Sequence, residues 1–165
     1  MYVFNPAEIN GFCSIFLQSV SQFDLTLYEL YYNLYLTGLR YTELYNIDRW
    51  KYQNNDTVIC TTAKGSFPRT FTADELSFPF YSSILRNENM FFTARYSTAI
   101  RYFSRFFPEP RIRCQNKEIS THIFRHNKAK QMKVQGKTDQ EIQIYLGEIS
   151  LENAQGYINS ELYIN

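Results

Sequence analysis

The run FDLTLYELYYNLYLTGL, residues 23–39, is apolar on nearly every side of the helix it would form. A helix without a polar face has to be enclosed, so the remainder of the chain must be built around it. At 165 residues there is enough polypeptide to do this as a single domain spanning 1–165. The 14 Tyr and 14 Phe predict a core made largely of rings. Pro6 suits the first turn of a preceding helix, and Gly38 interrupts the apolar run beside Arg40, which sets that guanidinium at a helix end or turn. Glu43, three residues on, is the natural carboxylate to pair with it. No apolar run reaches 18 residues, and Asn5, Pro6 and Glu8 break any leader-like pattern, so a soluble intracellular protein with no membrane partner is expected.

From Arg49 to Phe71 the period changes. WKYQ, TVICTT and RTFT read as short strands, with turns at Asn54-Asn55-Asp56 and Lys64-Gly65-Ser66, predicting a small antiparallel sheet with Lys64 at a hairpin tip. Between Thr72 and Asn89 the pattern marks only a turn that Asp74 can cap and an apolar segment, SFPFYSSI. In Arg95–Phe107, Tyr96, Ile100, Phe103 and Phe107 form one helical stripe for the core, while Arg95, Thr98, Arg101 and Arg105 form another.

The stretch Thr121–Tyr157 is punctuated more clearly than any other. Ser120 or Thr121 can cap a helix in which His122 and Arg125 share a face over the opening turn, a face able to grip a phosphate. Gly136 is a plausible end to it, Thr138 with Glu141 has capping-box spacing, Gly147 ends the second helix, and Ser150 can start the third, which carries Tyr157. The net charge of +1 conceals an asymmetry: residues 86–137 hold twelve Lys and Arg against three Glu, and the rest of the chain holds five basic and thirteen acidic residues. That block is a candidate polyanion face, with Arg111, Arg113, Lys117, Lys128, Lys130 and Lys133 gathered around the His122–Arg125 helix. Cys13, Cys60 and Cys114 are odd in number and far apart, which argues against both a disulfide framework and a zinc site.

Taken together, His122-x-x-Arg125-His126, Leu146-Gly147-x-x-Ser150 and Tyr157 resemble the C-terminal motif of the tyrosine recombinases, the phage integrase family. TGLRYTEL resembles the segment carrying that family's first active-site arginine, here Arg40, followed by an acidic residue, here Glu43. TAKGSFPRTF resembles its β-hairpin lysine segment, which gives Lys64 that role. The resemblance runs from about Asn5 to about Tyr163. It implies an α+β, mainly α, catalytic domain with a small three-stranded antiparallel sheet, acting on double-stranded DNA without cofactor.

The chemistry of such a site explains the residue types. Two planar guanidiniums, Arg40 and Arg125, match the non-bridging oxygens of a phosphodiester. A tyrosine hydroxyl titrates at about 10 when unperturbed, so attack near neutrality needs an acceptor such as His122 and a positive site. Lys64 is the available acid for the departing 5′-hydroxyl, no metal is required, and Arg95, Arg101, Arg105, Arg111, Arg113, Lys128 and Lys130 are the candidate DNA contacts. The implied product is a 3′-phosphotyrosyl intermediate that conserves bond energy for rejoining.

One position departs from the family pattern. After the helix-closing glycine the family usually carries histidine, sometimes tryptophan, at the scissile phosphate, and here the residue is Glu148. At 4 Å from a phosphate charge, with an effective dielectric near 20, a carboxylate is repelled by roughly 4 kcal/mol. Glu148 is therefore expected to turn away, pair with a base or take a proton. Glu148, with no N-terminal helical domain expected ahead of this portion, leaves open a non-cleaving DNA-binding descendant, and a topoisomerase-like relaxase shares the chemistry. With eight residues beyond Tyr157, a monomer that assembles on DNA, with weak and salt-dependent affinity, is the expectation.

Overall fold

The computed structural model describes residues 1–61, 67–88, 92 and 95–165. A short strand β1 (Tyr2–Val3) leads into α1 (Pro6–Ser21), which opens on a capping box: Asn5 Oδ1 accepts from the Glu8 amide at 2.8 Å and Glu8 Oε1 accepts from the Asn5 amide at 3.0 Å. The apolar run becomes α2 (Leu25–Thr37), capped by Asp24 and closed by Gly38 in the left-handed conformation at φ 68°. Arg40 then stands at the N-terminus of α3 (Tyr41–Tyr45).

The expected sheet follows as β2 (Trp50–Asn54), β3 (Thr57–Cys60) and β4 (Arg69–Thr72), antiparallel in that order, with Val58 opposite Phe71. Asn55 and Asp56 make its first turn at φ 47° and 59°, a conformation these side chains tolerate better than most. The tip assigned to Lys64 lies outside the described residues. The turn after β4 is capped by Thr72 and Glu75 rather than by Asp74. Then α4 (Phe78–Leu85) is tied to α2 through a reciprocal pair: Asn33 Nδ2 donates to Ser77 Oγ at 2.9 Å and the Ser77 amide donates to Asn33 Oδ1 at 3.0 Å.

α5 (Tyr96–Phe106) buries Ala99 and Phe103, and Phe107 just beyond it is buried too, but Tyr96 departs from the expected core stripe. It is 54% exposed and lies against the Tyr41 ring at 4.9 Å. A hairpin of β5 (Arg113–Cys114) and β6 (Lys117–Glu118) precedes α6 (Ile123–Val134), α7 (Asp139–Leu146), α8 (Leu151–Asn159) and β7 (Tyr163–Ile164). Beyond the three-stranded sheet, these short strands form a second one in the order β1-β7-β5-β6, which joins the two ends of the chain. Two-residue strands carry too little alternation to be read from sequence.

The core is aromatic, as the composition predicts. Phe16 on α1 packs its ring against Tyr31 at 4.8 Å, Phe103 at 5.2 Å and Phe107 at 5.6 Å, and Phe124 of α6 closes the group at 6.1 Å. The Tyr31 hydroxyl is satisfied by the Ala99 carbonyl. A smaller cluster of Ala129, Met132, Ile142, Leu146 and Ile158 holds α6, α7 and α8 together. α6 touches α1, α2, α7 and α8, and so carries the site residues in the middle of the molecule.

Candidate active site

Two helix ends prepare a place for a cation. The C-terminal carbonyls of α2 and α7 have no partners within their helices, and each helix end carries partial negative charge. Both helices close on glycines at positive φ, Gly38 at 68° and Gly147 at 72°, which turn the chain sharply and leave those carbonyls pointing at α6. Arg125 fills the gap. It is 0% exposed, and its Nη1 donates to the Gly38 carbonyl at 2.9 Å while Nη2 donates to the Leu146 carbonyl at 2.9 Å.

The same Nη2 also donates to Glu148 Oε1 at 2.6 Å, and Arg40 Nη2 donates to that same oxygen at 2.6 Å. Glu148 is 2% exposed. Burial alone would raise its carboxyl pKa, but Arg125 and then Arg40 hold it below the usual carboxylate range. Of the three courses expected for this residue, pairing with basic side chains is the one taken. The partners are Arg40 and Arg125, the two arginines expected from the sequence to clamp a phosphate.

Glu43 forms the outer part of the network. Its Oε1 accepts from the Arg40 amide at 3.2 Å and lies 3.6 Å from Arg40 Nη1, and its Oε2 binds Arg69. Arg69 on β4, 4% exposed, also donates to the Leu146 carbonyl at 2.7 Å, so that one carbonyl serves both Arg69 and Arg125. Sequence reasoning passed over Arg69. Its only trace there is Gly147, where a Cβ would lie 2.5 Å from Arg69 Nε.

Tyr157 sits half-buried on α8 with its hydroxyl 2.9 Å from His122 Nε2. Its ring lies 4.9 Å from the His126 ring, and Arg125 Cζ is 4.9 Å from the ring centre. His122 immediately precedes α6 rather than lying within its first turn, and its carbonyl accepts from the Arg125 and His126 amides. Although part of the residue meets solvent, protein crowds its ring. That desolvation, followed by Arg125 and Arg40, brings its pKa down to about 4. His126, buried and beside His122, is brought down to about 3. Both rings are neutral near pH 7, which leaves His122 Nε2 able to accept from the phenol.

Arg40, His122, Glu148 and Tyr157 line one open cleft of about 880 Å³, with Lys117 and Tyr96 at its edge. Arg125 lies beneath it. Five of the six residues assigned to catalysis, together with Glu43, thus form one contiguous group; the sixth, Lys64, is outside the described residues.

The cations fare unevenly. Arg95, Arg101, Arg105 and Arg111 are exposed, with Arg101 and Arg105 each lying 5.3 Å from the ring of the next residue, Tyr102 and Phe106. Arg113 is half-buried and donates to the Asn116 carbonyl. Lys128 does not face the cleft: it lines a separate groove with Met132 and Tyr145, its Nζ 5.3 Å from the Tyr145 ring. Lys130 is a correction to the expected DNA contacts. At 7% exposure, its Nζ donates to the carbonyls of Ile158 at 3.1 Å and Ser160 at 2.5 Å, holding the C-terminal end of the tyrosine helix. His126 assists through Ser160 Oγ at 2.8 Å. The helical spacing of His122, His126 and Lys130 was the available signal that all three serve one face.

No protein-family model matches the chain, and neither does any curated protein. Among solved structures, a XerA recombinase superposes with a TM-score of 0.61 at 18% identity, covering 94% of this chain and 57% of its own. The fold is the one this recombinase carries. A XerH site-specific recombinase bound to its difH substrate before cleavage gives 0.57 at 17% identity over 88% of this chain. The same recombinase on a palindromic difH substrate after cleavage gives 0.58 at 18% over 90%. This chain spans about half the length of those recombinases, 57% of the first and 47% and 48% of the other two. Among the described residues no group of His, Cys, Asp or Glu is arranged to hold a metal ion, and no helix is long and apolar enough to cross a membrane.

Proposed function

We propose that this chain is the catalytic portion of a tyrosine-type DNA recombinase, cutting and rejoining strands through Tyr157. One observation carries the reading. The Tyr157 hydroxyl is 2.9 Å from a neutral His122 nitrogen, in the same cleft where Arg40 and Arg125 converge on a single oxygen at 2.6 Å each. A phosphodiester oxygen held by the same two guanidiniums would set its phosphorus beside the phenol. The reaction class is phosphoryl transfer without bound metal as nucleophile activator.

In this step the phenol oxygen bonds to phosphorus as the bond to the 5′-oxygen breaks. The phenol proton passes to His122 Nε2, and the departing 5′-oxygen takes a proton from an acid, the role the family resemblance gives to Lys64. His122 is a weak base because protein crowds its ring and two arginines face it. A phosphate seated on those arginines, like the Glu148 carboxylate it replaces, offsets their charge at the histidine and so favours the imidazolium that forms. The 3′-phosphotyrosyl link conserves bond energy, so a 5′-hydroxyl can reverse the step without ATP. The exposed arginines Arg95, Arg101, Arg105 and Arg111 would follow the backbone, reading charge and not base edges.

The test is incubation with a nicked suicide substrate and mapping of any adduct. An SDS-stable protein–DNA species that disappears in Tyr157→Phe supports the reading. No adduct from a folded protein, or an adduct that survives Tyr157→Phe, refutes it. The second reading, a DNA-binding protein that does not cleave, rests on the carboxylate of Glu148 lying where the phosphate oxygen would go; duplex binding without adduct would favour it.

A further inference from the structure

From the position of Glu148 we infer that its carboxylate is the resident ligand of the Arg40–Arg125 anion site, and that a phosphodiester enters only in exchange for it. The inference rests on the reading of those arginines as a phosphate clamp. Glu148 Oε1 accepts from Nη2 of Arg40 and Nη2 of Arg125, at 2.6 Å each. Those are the N–H groups a non-bridging phosphate oxygen would need, and two anions cannot hold them at once.

The surroundings allow exchange by side-chain rotation alone. The Glu148 backbone is fixed: its amide donates to the Gln143 carbonyl at 3.0 Å, and its carbonyl accepts from Gln143 Nε2 at 3.2 Å. Arg125 is fixed as well by the Gly38 and Leu146 carbonyls. The carboxylate, however, borders the open cleft, so a swing about its own side-chain bonds carries it toward solvent while both guanidiniums keep their positions. Arg125, buried and with no other carboxylate bonded to it among the described residues, is never left without an anion: Glu148 satisfies it in the empty protein and the phosphate satisfies it in the complex. Glu148 thereby sets a threshold, since an anion binds only if it outcompetes a tethered carboxylate.

Sulfate, a tetrahedral anion that does not titrate between pH 5 and 8, is the probe. Its dissociation constant is measured by calorimetry for the unaltered chain and for Glu148→Gln, which keeps the side-chain size and removes the charge. At least a tenfold gain in sulfate affinity is expected. An equal or weaker affinity in folded Glu148→Gln overturns the exchange, whatever the adduct assay gives. Conversely, a gain in sulfate affinity with no Tyr157–DNA adduct keeps the exchange and removes the strand-cleavage reading. If Glu148→Gln fails to fold, the unaltered chain crystallised in sulfate decides. Sulfate bridging Arg40 and Arg125 with Glu148 swung into the cleft supports the exchange; Glu148 still on both arginines at saturating sulfate overturns it.

Discussion

Replacing Gly147 by alanine tests how the site is tied together. Gly147 adopts φ 72°, and a Cβ there would meet Arg69 Nε at 2.5 Å and its Cδ and Cζ at 2.9 Å. A guanidinium at the surface would move aside. Arg69 is 4% exposed and is held by the Glu43 carboxylate and the Leu146 carbonyl. A left-handed alanine alone costs about 1 kcal/mol. Driving Arg69 off Glu43 leaves a buried carboxylate without that partner, which costs about 3–5 kcal/mol. The total of about 4–6 kcal/mol is a large share of the 5–15 kcal/mol that holds a domain together.

Gly136 supplies the control. Its φ is 87°, and a Cβ there meets nothing within 4 Å. Gly136→Ala should therefore cost only the conformational part, about 1 kcal/mol. Urea denaturation of both variants and the parent, with unchanged slopes, gives the difference directly. Gly147→Ala is expected to lose at least ~3 kcal/mol more than Gly136→Ala. Equal losses would refute the claim that Arg69 is pinned. Because the Leu146 carbonyl also receives Arg125, the folded fraction of Gly147→Ala should form the DNA adduct more slowly; a parental rate would separate Arg69 from the site.

Glu148→His removes the resident carboxylate and offers a donor, and is expected to speed covalent complex formation on nicked DNA at least about tenfold, given a repulsion of several kcal/mol at contact distance; an unchanged or slower rate would deny this position any role at the phosphate. At subsaturating DNA, where the rate reports the free protein, the acid limb of adduct formation should fall near pH 4, since His122 must be neutral to accept the proton and its pKa is lowered to about 4; a limb at the ordinary histidine value, about 6.5, would contradict the account of its surroundings. Sign matters for stability too: His122 and His126 have folded values below the unfolded one, so their contribution is present above about pH 6.5 and is lost as pH falls toward 4 and 3, and rates should be read only where circular dichroism is unchanged. Lys130→Met should destabilise the fold by about 1–3 kcal/mol, by orphaning two carbonyls, and leave duplex affinity unchanged; a drop in affinity with the fold intact would return Lys130 to the DNA face.

The helices around the site were legible because their ends are marked by local chemistry. Thr138 with Glu141, Ser150, Pro6 and the glycines at 38 and 147 act within one turn, and each behaves as its residue type dictates. The three-stranded sheet was legible for the same reason in its first turn, at Asn55 and Asp56. Whatever depends on distant packing was not. Nothing in the spacing of Arg69 says that it reaches Leu146, 77 positions away. Lys130 looked like one cation among many in a basic block, whereas its ammonium caps a helix that begins twenty-one residues later. Tyr96 fits a helical apolar stripe by period, yet the core under α5 is closed by Ala99, Phe103 and Phe107, and Tyr96 is left on the rim beside Tyr41.

Glu148 shows why family pattern and physical chemistry have to be read together. By pattern alone it is a broken position. By charge alone, two arginines and a carboxylate form an ordinary buried pair. Arg125, however, is fully buried before any DNA arrives, and burying a guanidinium without a counter-anion costs several kcal/mol. Carbonyls from two helix ends supply part of the compensation; a full negative charge supplies the rest. A site that must hold an arginine rigidly for a phosphate therefore faces the same problem before the phosphate arrives, and a carboxylate tethered one residue past the α7 glycine solves it at the expense of competing with substrate.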